Sequence, residues 1–565
     1  MPCIHCYISW VQSIAVYLPS LLAPLFLWLY YGGCHGAPPT YGPRYMPWFA
    51  RGLLAAYRTL ISFTSLLCRL SKHEDEFLVS LKRTYGPIVY LPWPLKQYFV
   101  LDPATVSKVY ETSTSTLDFG PIRMTMLRSA FGGSTPIFRD VALWHGVLFP
   151  AHGRGLSRNR LEEPIDTFVS HLRDKLEQLA QRLDAETESS EGTEMGLVTW
   201  IRNTMFDAGL AAFFGTQLLD FDTSPKYGIS SLEEFRKLFD EFDLAFPPVA
   251  GEVMPLPVLK MVSFIRKGVK ARERLREFLG AWVRDGAPGL QEKGLVRGIV
   301  DSSKENGLTD FETGTTLNGT LWALQANGPF AAVWTILYVI QSPLYPKILQ
   351  EIGQFLSSLG GAAPTQADLA PSTALPILSS AIHETLRLAS STSSLRDVQK
   401  EFLLRIERED DYELTKEDKA SPASSDYWIP QGSRIAAVTR IAHLDGQVWE
   451  DAKLWDGERF IDREGEVAGT RSKRTREVRA FGGGVSICEG RNLAYSELKA
   501  MVTETLSRFE ITVLPKKNST PMKTLRFIDG STGIAPLPAP GRPGMGIFQF
   551  VGDVQVRVKR RVGTE

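Results

Sequence analysis

One cysteine lies in a segment whose neighbours could make its sulfur chemically active. Cys488 follows the run Gly482-Gly483-Gly484 and is followed closely by Gly490. Glycines have no Cβ and tolerate positive φ, so this backbone can approach a ligand closely and direct N–H groups at the sulfur. A helix starting just after Cys488 would also point the positive end of its dipole at the sulfur and favour the thiolate. The pattern predicts a thiolate ligand for a metal, with a structural cysteine as the alternative.

The wider segment, from Phe481 to Ala494, resembles the haem-binding signature of the cytochrome P450 family. That signature has the spacing Phe-x-x-Gly-x-x-x-Cys-x-Gly, which Phe481, Gly484, Cys488 and Gly490 match. The resemblance implies that the cofactor is haem b, that Cys488 is the axial ligand of its iron, and that the other three residues bind beside it. Thiolate ligation of this kind favours O–O cleavage.

A second pattern consists of charges at helical spacing. Glu384 and Arg387 are three residues apart in an apolar-periodic stretch, so both side chains lie on one face of a predicted helix. Glu273 and Arg276 have the same spacing, and there we expect an exposed helical pair. Arg459, in a Glu-Arg-Phe sequence, resembles the family's third member, so the resemblance implies a buried triad of Glu384, Arg387 and Arg459. A carboxylate shared by two guanidiniums would hold the cysteine loop, whereas the alternative is a surface pair.

The haem propionates need partners, and here the sequence departs from the family pattern. Arg396 matches the family's propionate-binding arginine, and Trp144 matches the tryptophan of its Trp-x-x-x-Arg helix. The arginine of that helix is replaced by Leu148, and Ser486 stands where arginine or histidine is usual. The second propionate is therefore left without an assigned partner. His145 is one candidate, with a structural histidine as the alternative.

The central helix carries a further departure. A capping-box sequence at Thr309 predicts a helix that continues to about Ile340. Most family members place an acid and an alcohol in this helix, which deliver protons during oxygen activation. Ala326 takes the place of the acid and Asn327 that of the alcohol. Because an amide donates and accepts hydrogen bonds without titrating near neutrality, we expect Asn327 to hold an ordered water in the catalytic site.

The same region narrows the resemblance to one branch of the family. The run Leu321 to Asn327 and the segment Gly546 to Arg557 resemble the branch that contains sterol 7α-hydroxylases and prostacyclin synthases. The resemblance implies a monooxygenase that oxidises a lipophilic small molecule, terpenoid, sterol-like or polyketide, in secondary metabolite biosynthesis. Its electrons would come from NADPH through NADPH-cytochrome P450 reductase. A reductase-independent peroxide isomerase or dehydratase is the alternative, and a non-catalytic haem sensor is a third reading.

The substrate pocket should be apolar and lie above the haem. We expect parts of Leu117 to Phe138, the helix face from Leu324 to Pro329, and the loop from Ile534 to Leu537 to line it.

Composition and periodicity set the fold class. The 63 basic and 63 acidic residues cancel, which argues against a nucleic-acid surface. Most of the chain has helical periodicity, with predicted strands in Tyr90 to Leu101 and Phe550 to Val558, and we expect a charged surface loop at 406–426. The sequence predicts an α-rich α+β fold, which the resemblance identifies as the P450 fold with a long central helix and small sheets.

The N-terminus predicts a membrane anchor. The first charged residue is Arg44, and Val11 to Tyr31 is long and apolar enough to span a bilayer. The alternative is a cleaved signal peptide. The basic residues that follow favour a cytosolic catalytic domain. We therefore expect a single-pass anchor at residues 1–33 in the endoplasmic reticulum membrane and a catalytic domain at residues 34–565.

Overall fold

The structure is a computed structural model that describes ten stretches of the chain. These are residues 74–91, 97–186, 192–220, 227–252, 255–371, 373–407, 424–461, 478–514, 522–538 and 546–561. The predicted membrane anchor at residues 1–33 lies outside the described residues.

Helices form most of the described structure, in agreement with the predicted α-rich class. In chain order they are α1 (Glu74–Tyr85), α2 (Pro103–Glu111), α3 (Gly120–Ser129), α4 (Phe149–Gly155), α5 (Glu162–Glu186), α6 (Leu197–Phe214), α7 (Leu232–Ala250), α8 (Leu256–Leu259), α9 (Ser263–Arg284), α10 (Leu295–Glu305), α11 (Asp310–Gln325), α12 (Gly328–Gln341), α13 (Tyr345–Ser358), α14 (Gln366–Leu369), α15 (Pro376–Ala389), α16 (Thr439–His443) and α17 (Arg491–Arg508). A π-helical turn, Trp144–Leu148, leads into α4.

Within the described residues, short strands form four small sheets. The strands are β1 (Ile88–Leu91), β2 (Gln97–Val100), β3 (Leu117–Asp118), β4 (Thr193–Gly196), β5 (Ser393–Val398), β6 (Phe402–Glu407), β7 (Ser424–Ile429), β8 (Arg434–Val438), β9 (Phe509–Val513), β10 (Met522–Arg526), β11 (Thr532–Pro536) and β12 (Gln555–Arg560). The largest sheet has the order β1-β2-β8-β5-β3, a second has the order β4-β12-β9, and β6-β7 and β10-β11 are pairs. In the largest sheet β2 and β8 are parallel, and the other pairs are antiparallel.

Most sequence-predicted strands are present, with shifted boundaries. The predicted strand-turn-strand at Tyr90 to Leu101 is confirmed as the antiparallel pair of β1 and β2. The predicted C-terminal strand starts later than its alternating pattern suggested, at Gln555. The ends of the predicted loop at 406–426 belong to the hairpin of β6 and β7, while residues 408–423 lie outside the described residues.

The long central helix exists, but it is interrupted. Its capping box is present, with Thr309 N–H donating to the Glu312 carboxylate at 2.8 Å and Glu312 N–H donating to the Thr309 hydroxyl at 3.3 Å. The helix then breaks at Ala326 and Asn327, between α11 and α12. Pro329 explains the break, since proline has no N–H to donate to the carbonyl four residues earlier and crowds that carbonyl.

The central helix also packs through the middle of the molecule. Within the part of the chain that the structure describes, Asp310–Gln341 is the one stretch long and apolar enough to cross a membrane, and 72% of its most apolar window is buried inside the protein. That burial is typical of a core helix. The break lies within this core helix, where Ala326 is fully buried and Asn327 is half-buried.

Candidate active site

The cysteine loop is shaped by two glycines in left-handed conformation. Gly482 has φ 73° and Gly484 has φ 64°, which side chains adopt only with strain. A Cβ on Gly484 would also lie 2.3 Å from the Tyr110 carbonyl oxygen. The loop closes when Cys488 N–H donates to the Phe481 carbonyl at 3.0 Å. The sequence thus forces a tight loop that presents Cys488 at its end.

The thiol lies at the N-terminus of an 18-residue helix, as the sequence predicted. Gly490 is the N-cap of α17, and the Cys488 side chain is exposed. Although its surface is accessible from one side, the protein packed around the Cys488 thiol desolvates it and raises its pKa, and the Gly490 backbone N–H opposes that rise. Coordination to a metal ion at this position would deprotonate the thiol.

Behind the loop, the structure brings Glu384, Arg387 and Arg459 together. Arg387 donates to both Glu384 oxygens, at 2.7 and 2.8 Å, and Arg459 Nε donates to Glu384 Oε1 at 3.0 Å. The side chains of Glu384 and Arg387, which both lie on α15, are fully buried, and the side chain of Arg459 is 8% exposed. Removing one member would leave a buried charge unpaired, at a cost of roughly 3–5 kcal/mol.

His443 connects this triad to the cysteine loop, although no sequence pattern indicated this role. Its carbonyl accepts a hydrogen bond from Arg387, and its Nε2 accepts one from the backbone N–H of Arg479 at 2.9 Å. Its Nδ1 lies 3.3 Å from the Ser390 hydroxyl. Burial, reinforced by Arg387 and Arg440, lowers the pKa of His443 to about 3. The ring is therefore neutral and can accept from Arg479, two residues before Phe481.

The second Glu-x-x-Arg pair is not the exposed pair that the sequence suggested. The prediction for Arg276 was wrong: this residue is 3% exposed, donates to the Thr315 hydroxyl at 2.9 Å and stacks on Phe311. Glu273 is partly exposed, at 38%, and pairs with Arg276. The two residues join α9 to α11. Helical spacing identifies a shared face but not whether another helix covers that face.

Arg396 lies on β5, which follows α15, and is 4% exposed. Its guanidinium donates to the Leu395 and Gly483 carbonyls at 2.7 and 3.3 Å and to the Ser394 hydroxyl at 3.2 Å. Within the described ranges no carboxylate forms an ion pair with it. A buried cation without a counter-ion is costly. This arrangement fits a haem propionate, so Arg396, the glycine loop and the Cys488 thiol together suit haem.

The other predicted cofactor residues occupy different surroundings. Trp144 is fully buried, and its indole N–H donates to the Ile137 carbonyl at 2.8 Å. The indole N–H of Trp144 therefore already has an acceptor, and the role of Trp144 in binding haem stays a prediction. His145 packs against Gly120, where an added Cβ would lie 2.1 Å from its ring. Phe481 packs against Tyr495, with ring centroids 5.3 Å apart.

At the break in the central helix, Ala326 is fully buried. Asn327 is half-buried, and its side-chain oxygen accepts a hydrogen bond from the Ile547 N–H at 3.0 Å. Gly546, with φ 110°, permits this contact, because a Cβ there would lie 2.3 Å from the Asn327 oxygen. The Asn327 side chain therefore fastens the C-terminal segment to the helix break. Its amide nitrogen has no partner among the described residues and can donate to water.

An aromatic cluster packs on α11, before the break. Trp322 stacks on Phe246 of α7 with centroids 3.8 Å apart, and Phe131 lies 5.9 Å from Trp322. The Trp322 indole donates to the buried Asp243 carboxylate at 2.8 Å, which also accepts from Gln549 at 2.7 Å. Phe131 lies in the predicted lining range Leu117 to Phe138. Asp243 adds a polar group that the sequence did not reveal.

Comparison with known proteins agrees with this geometry. The cytochrome P450 family model matches residues 58–534. Cytochrome P450 7A1 of Rattus norvegicus is 28% identical over 66% of this chain and 68% of its own length, and the Sus scrofa protein is 27% identical over 88% and 92%. The human 7-alpha-hydroxycholest-4-en-3-one 12-alpha-hydroxylase is 23% identical over 91% of each chain. With Cys488 in its glycine loop, this chain therefore belongs to the cytochrome P450 monooxygenase family.

Proposed function

We propose that the protein hydroxylates a lipophilic, sterol-like small molecule at haem ligated by Cys488. The observation that carries the proposal is the exposed Cys488 thiol, which lies at the N-terminus of α17 in a loop that left-handed glycines shape. When bound, haem supplies the activation of dioxygen. The electrons come from NADPH through NADPH-cytochrome P450 reductase.

The aromatic cluster and the relatives' names support the substrate class. Phe131, Phe246 and Trp322 form a largely buried aromatic cluster against α11, and a site built beside this cluster suits a rigid polycyclic or terpenoid skeleton better than a charged one. One relative, from Cricetulus griseus, is named cholesterol 7-alpha-monooxygenase, and the human relative is named as a 12-alpha-hydroxylase of 7-alpha-hydroxycholest-4-en-3-one. A sterol-like substrate is thus favoured over a polyketide, and we place the reaction in secondary metabolite biosynthesis.

The protein's own residues account for positioning and proton supply. Ala326 has no acidic group, so no proton comes from its position in the break between α11 and α12. The Asn327 amide nitrogen holds a water that carries the proton, while its oxygen stays on Ile547 N–H. This division leaves Asn327 as an oriented donor that does not titrate. Arg396 and the triad orient the cofactor and its loop.

The test is turnover with defined components. Product should require NADPH, the reductase and dioxygen, and one labelled oxygen atom from dioxygen should appear in the hydroxylated product. Conversion of a peroxide substrate under argon, without the reductase, would establish the isomerase alternative instead. Haem binding without turnover of any lipophilic substrate under either condition would favour the sensor reading.

We also propose that residues 1–33 anchor the protein in the endoplasmic reticulum membrane and that residues 34–565 form the cytosolic catalytic domain. The apolar, uncharged stretch Val11 to Tyr31 supports an anchor. A protein lacking residues 1–33 should leave the membrane fraction and keep its haem. Loss of haem from that variant, or continued sedimentation with membranes, would contradict this division.

A further inference from the structure

Tyr110, at the end of α2, has a buried hydroxyl with nothing to bond. The residue is 5% exposed, and in the part of the protein that the structure describes its Oη has no partner in hydrogen-bonding geometry, although the Ser394 side chain lies near enough to influence it. A buried hydroxyl normally has a partner, because leaving it unpaired is destabilising. The position of Tyr110 is fixed by the cysteine loop, since both Gly483 and Gly484 pack directly against it.

The surroundings of Tyr110 are cationic. The Arg396 and Arg479 guanidinium carbons lie 5.8 and 5.0 Å from the centre of its ring. In the described ranges neither arginine forms an ion pair with a carboxylate; Arg479 donates to the Ser107 hydroxyl at 3.1 Å. Asp118 is the acid that acts on Arg396 from a greater distance. Because the two guanidiniums of Arg396 and Arg479 are accompanied only by the more distant Asp118 carboxylate, the surroundings of Tyr110 carry excess positive charge.

The phenol is suited to donate a hydrogen bond. Burial raises the pKa of Tyr110, against the opposing influence of Ser394, Arg396 and Arg479. The hydroxyl is therefore protonated at neutral pH. A protonated donor beside a buried guanidinium is a site for a carboxylate, which accepts hydrogen bonds from both.

We propose that the Tyr110 hydroxyl and the Arg396 guanidinium together bind a propionate of the haem, with Arg479 adding positive charge behind the ring. This inference rests on the proposed function, because it requires haem at Cys488. It supplies a propionate partner where Leu148 and Ser486 offer no cation. Tyr110 lies 378 residues before Cys488 and outside the sequence motifs described above, so no sequence pattern indicated it.

The test compares Tyr110→Phe with the unaltered holoprotein. This change removes only the hydroxyl and keeps the ring between the two arginines. Haem transfer from the ferric holoprotein to apomyoglobin should become faster on the order of tenfold, as expected for loss of a hydrogen bond to a charged group. The resonance Raman band of propionate bending should shift as well. Tyr345→Phe, which loses a hydrogen bond to Arg561 elsewhere, should change neither.

The outcomes separate this inference from the proposed function. Faster haem transfer with a shifted propionate band would support it. Faster haem transfer with an unshifted propionate band would overturn the inference and indicate that the Tyr110 hydroxyl has a packing role. An unchanged rate of haem transfer would also overturn the inference. Failure of the unaltered protein to bind haem would instead contradict the proposed function.

Discussion

The side-chain oxygen of Asn327 accepts a hydrogen bond from the backbone N–H of Ile547 at 3.0 Å, across 220 residues of sequence. The contact joins the break in the central helix to the C-terminal segment. Further hydrogen bonds hold that segment: Ser391 N–H donates to the Gly546 carbonyl at 2.7 Å, and Trp334 donates to the Phe548 carbonyl at 2.8 Å. Asn327 thus combines a structural acceptor with a free donor.

The two ends of the Asn327 amide can be tested separately. Asn327→Ala should reduce the product formed per NADPH and increase peroxide, because losing a positioned donor in a catalytic site costs about 2.7–4 kcal/mol. It should also lower the free energy of unfolding by about 1–3 kcal/mol, since Ile547 N–H loses its acceptor. Asn327→Asp keeps the acceptor, so its unfolding free energy should stay near the original value. If the unaltered protein, Asn327→Ala and Asn327→Asp all formed the same amount of product per NADPH, the role of Asn327 in proton supply would be contradicted.

The triad should be required for haem loading. Glu384→Ala, Arg387→Ala and Arg459→Ala each leave a buried charge unpaired, at roughly 3–5 kcal/mol, and each should yield little haem-loaded protein. The control is Asp426→Ala, which breaks an exposed ion pair with Arg405 and should change stability by less than about 1 kcal/mol. Haem content per purified protein is the measurement. Similar losses in all four variants would exclude a specific role for the triad.

Glu273 is unsuitable as that control, although its spacing to Arg276 is the same. Its carboxylate pairs with two buried guanidiniums, those of Arg272 and Arg276. Glu273→Ala should therefore destabilise the contact between α9 and α11. We expect a lower thermal unfolding temperature than for Asp426→Ala, and equal temperatures would contradict the structural role of Glu273.

His443 should make stability fall in acid. Its native pKa is lowered to about 3, whereas the unfolded value is about 6.5. Below about pH 6.5 the unfolded chain binds a proton that the native ring does not, so stability is lost as the pH falls toward 3. His443→Gln keeps an acceptor for Arg479 N–H but cannot titrate. Between pH 6.5 and 4.5, the free energy of unfolding of His443→Gln, measured by urea denaturation, should fall by about 2 kcal/mol less than that of the unaltered protein. If the stability of His443→Gln depended on pH in the same way as that of the unaltered protein, the assignment to His443 would be refuted.

Local spacing predicted the parts of the site that lie close together in sequence. The Cys488 loop, its following helix, the Thr309 capping box and the pairing of Glu384 with Arg387 all depend on neighbours within a few residues. The break at Ala326 and Asn327 also had a local cause, Pro329, which the periodic pattern concealed.

The long-range contacts could not be predicted in this way. Tyr110 against Gly484, His443 against Arg479 and Asn327 against Ile547 each join segments more than 30 residues apart. Burial of Arg276 likewise depends on which face of α9 packs against α11. Single residues of this kind carry no spacing signature, since their roles arise from how the helices pack.

The ferrous carbonyl complex tests the central claim, that Cys488 ligates the haem iron. The unaltered protein should show the thiolate-type Soret band that gives the family its name. Cys488→His should retain some haem and show an imidazole-type band at shorter wavelength, because the ligand to the iron has changed. A thiolate-type band in the Cys488→His protein would show that another residue ligates the iron and would contradict the account.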